Sequence, residues 1–251
     1  MFNTERRQLI LERLHRDGRI VATELSAELG VCEDTIRRDL RNLAAEGCIQ
    51  RVHGGALLSS PASANYAARQ KQASSAKRQI AQIAAGLVQN GQVIILDGGT
   101  TNALVARCFP TDLHATVITN SLPAALALKN HAEVEIIFIG GRVYKESLVA
   151  IGAAAIESLR KIRADLCMLG VCSLHPEIGL TTPNLEESYI KQAMIESAAD
   201  VIALVSPEKL GTAATYVVAP LKELTYVVTA REVPKTVLTP YEQQGIIVLQ
   251  A

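Results

Sequence analysis

Between positions 31 and 55 the sequence reads VCEDTIRRDLRNLAAEGCIQRVHGG, which gathers Thr35, Arg37, Arg38, Arg41 and Asn42 ahead of Arg51 and His53. Guanidinium groups donate in a planar fork that matches phosphate oxygens or the O6 and N7 acceptors of guanine, and a hydroxyl near a helix start reaches phosphate. Projected at about 100° per residue, Ile36, Leu40 and Leu43 fall together while the basic and polar residues spread over the other side. With a core on the apolar side, the arginines point outward, which is the chemistry of a recognition helix against a duplex. Exposed helical arginines are ordinarily a solvated face, so the surrounding elements must decide.

A second set of residues stands farther along. VIILDGGTTNALVARC leads from an apolar run through Asp97, Gly98, Gly99, Thr100 and Thr101 into a helical stretch. Glycines let backbone amides approach an oxyanion, hydroxyls add donors, and a helix start adds positive potential, so a phosphate can be cradled there. The stretch is neither a Walker loop nor G-x-G-x-x-G, and no cofactor is expected. VITNSL puts Thr119, Asn120 and Ser121 at another strand end, and IFIGGR does so with Gly140, Gly141 and Arg142. Ligands of open α/β sheets bind beyond the carboxyl ends of strands, so the three loops are expected to converge on one pocket. Glu187 and Lys191, four apart in a helical stretch with Glu186, read either as a surface ion pair or as pocket residues. Lys209 in VSPEKLG follows a further strand end and is placed to neutralise a phosphate, unless it is simply solvated. Cys172 and His175 read as a core thiol and a surface imidazole rather than as a nucleophilic pair.

The elements that must hold these residues fall into two blocks. Helical stretches at 4–16, 23–29 and 33–46 supply the apolar stripes Leu9, Ile10, Leu11 and Leu14, then Leu25 and Leu29, then Ile36, Leu40 and Leu43. Only Gly30, Val31 and Cys32 separate the second from the third, a turn suited to a helix-turn-helix over about 20–39. CIQRV and HGGAL follow as a wing carrying Arg51 and His53, near the backbone or minor groove. Residues 3–58 are therefore expected to be an all-α winged helix-turn-helix with a small β-wing. Residues 59–76, SSPASANYAARQKQASSA, are small and polar and read as a linker. Over 77–251, β-branched runs at 93–96, 116–119, 134–139, 201–205, 226–228 and 245–249 alternate with helical stretches at 77–89, 101–108, 121–129, 152–162 and 185–198, as in an open α/β sheet covered on both faces.

The totals bound what the chain does. Its 251 residues are 49% hydrophobic, enough for a sizeable core, and 25 basic residues balance 25 acidic ones. Nothing global draws it to nucleic acid or membrane, so the electrostatic case rests on local placement. Asp39 and Glu46 are expected to offset part of the arginine face, leaving modest nonspecific affinity for one copy and a need for two copies on paired half-sites. Five cysteines without zinc spacing predict neither a disulfide framework nor a metal site. MFNTERRQLI lacks the apolar stretch of a signal peptide and no apolar run spans a membrane, so a cytoplasmic protein with no membrane partner is expected.

ERRQLILERL, TELSAELGV, TIRRDLRNL and RVHGGAL closely resemble the DeoR-type winged helix-turn-helix regulators. LDGGTT, VITNSL, IFIGGRVYKESLVAIG, RADLCMLG, GLTTPNLEE, IKQAMIESA and the lysine of VSPEKLG resemble the sensor domain of the same family, which is similar in fold to ribose-phosphate isomerases and coenzyme A transferases. The resemblance implies double-stranded operator DNA and a phosphorylated sugar or related metabolite as partners, with Asp97 to Thr101, Asn120, Ser121 and Lys209 lining the effector site. It further implies a homo-oligomer, dimer or tetramer, that represses a carbohydrate-catabolism operon. Three positions depart from the family pattern: Cys32 where serine usually opens the recognition helix, GVCSL where an aspartate is common, and Ser206 where an acid is common. An isomerase would need a carboxylate base. GVCSL supplies none, leaving Asp97 or Glu186 and Glu187 as substitutes, so the chain reads as a regulator and not an enzyme, with an isomerase-like enzyme bearing a DNA-binding domain as the alternative. A DNA-bound structural protein would need no rim of glycine and hydroxyl loops.

Overall fold

The apolar stripes of the first block close on one another. In the computed structural model, which describes residues 3–59, 65–72 and 75–251, α1 (Asn3–Asp17), β1 (Arg19–Val21), α2 (Ala22–Leu29) and α3 (Glu33–Ala45) surround Ile10, Leu14, Leu25, Ile36, Leu40 and Leu43, all buried. Each such burial contributes about 1.5–3 kcal/mol, so the outer face of α3 is fixed by what lies beneath it. α2 ends at Gly30 with φ 62° and ψ 32°, and the N–H groups of Gly30 and Val31 return to Ala27 O and Ser26 O at 3.4 and 3.1 Å. Glycine adopts this left-handed reversal without strain, and it sends the chain into α3 within three residues.

β2 (Ile49–Val52) and β3 (Gly55–Ser59) form the wing around the His53–Gly54 turn. β1, not anticipated, pairs antiparallel with β3 at Gly55–Leu57. Of the expected linker, residues 60–64 and 73–74 lie outside the described residues. The part between them is a helix, α4 (Tyr66–Lys71), capped by Asn65 and seated with Tyr66 buried.

The second block runs α5 (Ser75–Ala85), β4 (Val93–Leu96), α6 (Thr100–Cys108), β5 (Ala115–Thr119), α7 (Leu122–Leu128), β6 (Val134–Phe138), β7 (Arg142–Tyr144), β8 (Val149–Ile151), α8 (Ala153–Arg160), β9 (Ala164–Gly170), β10 (Ser173–His175), β11 (Gly179–Thr182), α9 (Leu185–Glu196), β12 (Ala198–Leu204), β13 (Thr212–Ala213), β14 (Tyr216–Ala219), β15 (Tyr226–Thr229), α10 (Lys235–Glu242) and β16 (Ile247–Gln250). Seven strands make a parallel sheet in the order β16-β15-β12-β9-β4-β5-β6. Period-two alternation sends Ile94, Leu96, Met168 and Ile202 to the layer of α5, α6 and α7, and Ile95, Cys167, Leu169 and Ala203 to the layer of α8, α9 and α10. β9, the middle strand, is absent from the sequence-based expectation because ADLCMLG has no β-branched residue and its apolar run suits helix or strand equally.

The blocks are also joined through a sheet. β13 pairs in parallel with the last two residues of β3, Thr212 against Leu58 and Ala213 against Ser59, directly beyond the stretch of β3 that β1 covers.

Candidate functional site

The exposed side of α3 carries the expected group. Arg37, Arg38, Arg41 and Asn42 are exposed and Thr35 is half-buried, while Ile36, Leu40 and Leu43 face the core. Arg37 donates to Glu33 from Nε and a terminal nitrogen at 3.0 and 2.7 Å, an i,i+4 pair that orients it along the helix. Arg37, Arg51 and His53 share a groove of about 580 Å³ between α3 and the wing. A helix of 13 residues, about 20 Å long, with a wing beside it has the dimensions to enter a major groove and touch the flanking backbone.

Two expectations for this block need amending or refining. Asp39 does not offset the arginine face. Three residues from Ile36, it lies on the core side, fully buried, and accepts from Arg6 Nε of α1. Glu46 accepts from Arg7 instead of meeting the basic face. Cys32, at the cap of α3, makes no capping bond to the backbone. Its Sγ lies 3.0 Å from Thr35 Oγ1, and that contact draws the thiol pKa down.

A cleft of about 410 Å³ opens beyond the carboxyl ends of β4, β9 and β12. Gly98, Gly99, Thr100 and Thr101 form one wall, where the first amides of α6 have no helical acceptor. Gly170 and Val171 form the next wall, and a Cβ at Gly170 would stand 2.1 Å from Gly98 O, so only glycine lets the two strand ends meet. Asn102, fully buried and missed by the sequence reading, pins that junction by donating to Asp97 O, Gly98 O and Met168 O.

Beneath the cleft, Lys191 donates to Asp97 Oδ2 and to Gly170 O, the latter at 2.8 Å, while Gly170 N donates to Asp97 Oδ2 at 2.9 Å. Lys191 is therefore a buried partner of Asp97 and not half of a surface pair with Glu187. Burial works most strongly against its charge, yet Asp97, Cys172 and Glu187 together outweigh it and hold the ammonium above the usual lysine value. Burial raises the Glu187 carboxyl, with Lys191 opposing. Lys209 donates to Val171 O at 2.6 Å. Desolvation, reinforced by Lys77 and Arg69 and opposed by Cys172 and Glu208, lowers it to about 8.

Of the three expected loops, only the first lines the cleft. Asn120 Nδ2 donates to Ala150 O, and the Ser121 hydroxyl accepts from Ala124 N to cap α7. Both side chains are buried beneath the β7–β8 hairpin, which bridges to Ser121 through Val149. Gly141 and Arg142 begin that hairpin and do not line the cleft; Arg142 is exposed and 3.6 Å from Glu186. In their place the hairpin tip supplies Ser147, and α4 supplies Arg69. Neither carried a sequence signal beyond an asparagine cap and a lone arginine inside a polar tether. At the two departures, Cys172 lines the cleft where the family commonly has an acid, and the Ser206 hydroxyl donates to Glu208 at 2.6 Å. His175, expected at the surface, is buried at the end of β10, where its Nδ1 accepts from Glu177 N. Among the described residues no group of His, Cys, Asp and Glu could hold a metal, and no helix is long and apolar enough to cross a membrane.

Residues 6–62 match the family described as the DeoR-like helix-turn-helix domain, and residues 72–231 match the DeoR C terminal sensor domain. The transcriptional repressor GlcR of Bacillus subtilis is 35% identical over 92% of this chain and 90% of its own. The transcriptional regulator GlpR of Haloferax volcanii is 35% identical over 99% of this chain and 98% of its own. A ribose 5-phosphate isomerase from Methanocaldococcus jannaschii overlaps 53% of this chain and 52% of its own, at 19% identity and a TM-score of 0.39. With an arginine-bearing winged helix-turn-helix at one end, a covered parallel sheet with a strand-end cleft at the other, and family matches to both, the chain belongs to the DeoR family of DNA-binding transcriptional regulators.

Proposed function

We propose that this regulator represses a carbohydrate-catabolism operon as a cytoplasmic homo-oligomer, dimer or tetramer, and leaves its operator when a phosphorylated sugar or related metabolite fills the strand-end cleft. Thr35, Arg37, Arg38, Arg41, Asn42, Arg51 and His53 contact the duplex, with copies joined through the sheet domain so that two recognition helices enter successive major grooves. The effector's phosphate meets Gly98, Gly99, Thr100, Thr101 and Lys209, over a floor made by Asp97, Lys191 and Glu187. The effector must favour one arrangement of the winged domains, since equal affinity for both would shift nothing.

The observation that carries this reading is an anion-ready cleft whose lysine stands three residues from the strand that pairs with the wing. Arg38→Ala and Arg41→Ala test its DNA half. Each is expected to weaken binding to the promoter fragment upstream of the neighbouring operon in gel shifts, and to lower the salt slope by about 1 where a phosphate contact is lost. Thermal stabilisation by sugar phosphates should be unchanged in both variants. Loss of effector response together with DNA binding would mean that these arginines support the fold instead of touching DNA.

A further inference from the structure

The cleft holds more cation than its strand-end loops supply. Arg69 belongs to α4, in the segment between wing and sheet domain, yet it lines the cleft with Gly98–Thr101 and Lys209. Its guanidinium is loosely engaged: one terminal nitrogen donates to Glu146 O and to the Ser147 hydroxyl, both at 3.3 Å. Its Nε is buried and has no acceptor among the described residues. A buried guanidinium N–H left unpaired is unfavourable, and a bound anion removes that penalty.

The charges around the cleft point to the kind of anion. Asp97 and Lys191 neutralise each other. Arg69 and Lys209 remain, close enough that the guanidinium lowers the ammonium's proton affinity, and Glu187 is the carboxylate of the lining. Two cations facing the start of α6 suit a phosphomonoester dianion. A neutral sugar would leave Glu187 as the one carboxylate of the lining against both cations.

We propose that Arg69 binds the phosphate of the effector, together with Lys209 and the start of α6, so that α4 closes on the ligand. This rests on the effector reading above and adds to it the ligand's charged group and the residue that reports its arrival. α4 is held by few bonds: Tyr66 N donates to Glu146 O at 2.7 Å, and Arg69 O accepts from Lys77 Nζ at 3.0 Å. Exchanging the contacts to Glu146 and Ser147 for phosphate oxygens would shift α4.

The test uses the full chain, titrated calorimetrically at pH 7.5 with inorganic phosphate, ribose 5-phosphate and ribose. Phosphate and its ester are expected to bind, the ester more tightly, and ribose to be silent. Arg69→Gln should weaken both anions about tenfold or more, and Arg69→Lys should recover part of that loss. On the wild-type protein, saturating phosphate should protect Arg69 from phenylglyoxal, read by mass spectrometry, which keeps the test independent of how the variants fold. Anion binding by Arg69→Gln within about twofold of wild type, or modification of Arg69 undiminished by phosphate, overturns the assignment while leaving the cleft intact. If the wild-type chain takes up neither phosphate nor ester, or if Lys209→Ala binds both as wild type does, the effector cleft itself is wrong and Arg69 falls with it.

Discussion

Lys191 and Lys209 reach into one cleft and titrate in opposite directions because their partners differ. Lys191 meets a carboxylate, while the acceptor of Lys209 is the Val171 carbonyl, which offers a dipole and no charge. In the free protein Lys209 therefore releases its proton around pH 8. A bound phosphate favours the charged ammonium and raises that value, so binding above about pH 8 takes up a proton. The sign follows: affinity for ribose 5-phosphate, already dianionic in this range, is level below the free-protein value and falls by close to tenfold per pH unit above it, about 1.4 kcal/mol for each unit. Calorimetry at pH 8.5 in two buffers of different ionisation heat should register proton uptake, and at pH 6.5 none from this lysine. An affinity unchanged from pH 7 to 9.5 would remove Lys209 from the anion site.

At the level of elements, the recognition helix depends on a contact that its sequence disguised. Arg6 and Asp39 join α1 to α3 inside the first core, with side chains 7% and 0% exposed and Asp39 Oδ1 lacking a partner among the described residues. Asp39→Ala strands the Arg6 guanidinium, and its expected cost is about 3–5 kcal/mol in urea unfolding of the full chain. Arg6→Met combined with Asp39→Leu should return much of that stability, because a packed apolar pair of similar volume needs no desolvation. A single variant that costs nothing would mean the pair is solvated. Such a pairing was illegible because residues 33 apart reveal no partnership, whereas the turn at Gly30 and the apolar period of α3 are written locally. The same contrast runs through the second block. VIIL and YVV were readable as strands from β-branched residues, but ADLCMLG was not. The DGGTT wall of the cleft was legible from its glycines and hydroxyls. Asn120 and Ser121 misled because the Asn120 amide nitrogen is consumed by a hairpin whose position no local pattern reveals and the Ser121 hydroxyl by the cap of α7, and Arg69 was hidden in a stretch whose composition suggests only a tether.

For the whole molecule, the question is how a cleft in one domain reaches a helix in the other. Besides the chain itself, an exposed Arg19–Glu177 pair spans the blocks, and exposed pairs contribute little. The stronger connection is β13, reached from Lys209 by a turn in which Thr212 Oγ1 donates to Lys209 O at 2.9 Å and Gly211 N donates to Leu174 O at 2.8 Å. Tyr241 of α10 locks that turn: its hydroxyl accepts from Gly211 N at 3.2 Å and donates to Leu174 O at 2.8 Å. Burial pushes the phenol up to about 12, so it stays a donor throughout the physiological range. Tyr241→Phe keeps the ring in the core and removes the lock, at an expected cost of about 1–2 kcal/mol in stability. Neither the cleft nor the arginine face is altered, so affinities for ribose 5-phosphate alone and for operator alone should stay near wild type. What should shrink is the factor by which one ligand weakens the other, typically about 5–150-fold where two sites are coupled, and by linkage it must shrink equally in both directions. Fluorescence anisotropy of a labelled operator fragment, with and without saturating ribose 5-phosphate, measures that factor directly. If it is unchanged in Tyr241→Phe, the wing is informed through α4 alone and β13 serves only to hold the domains together.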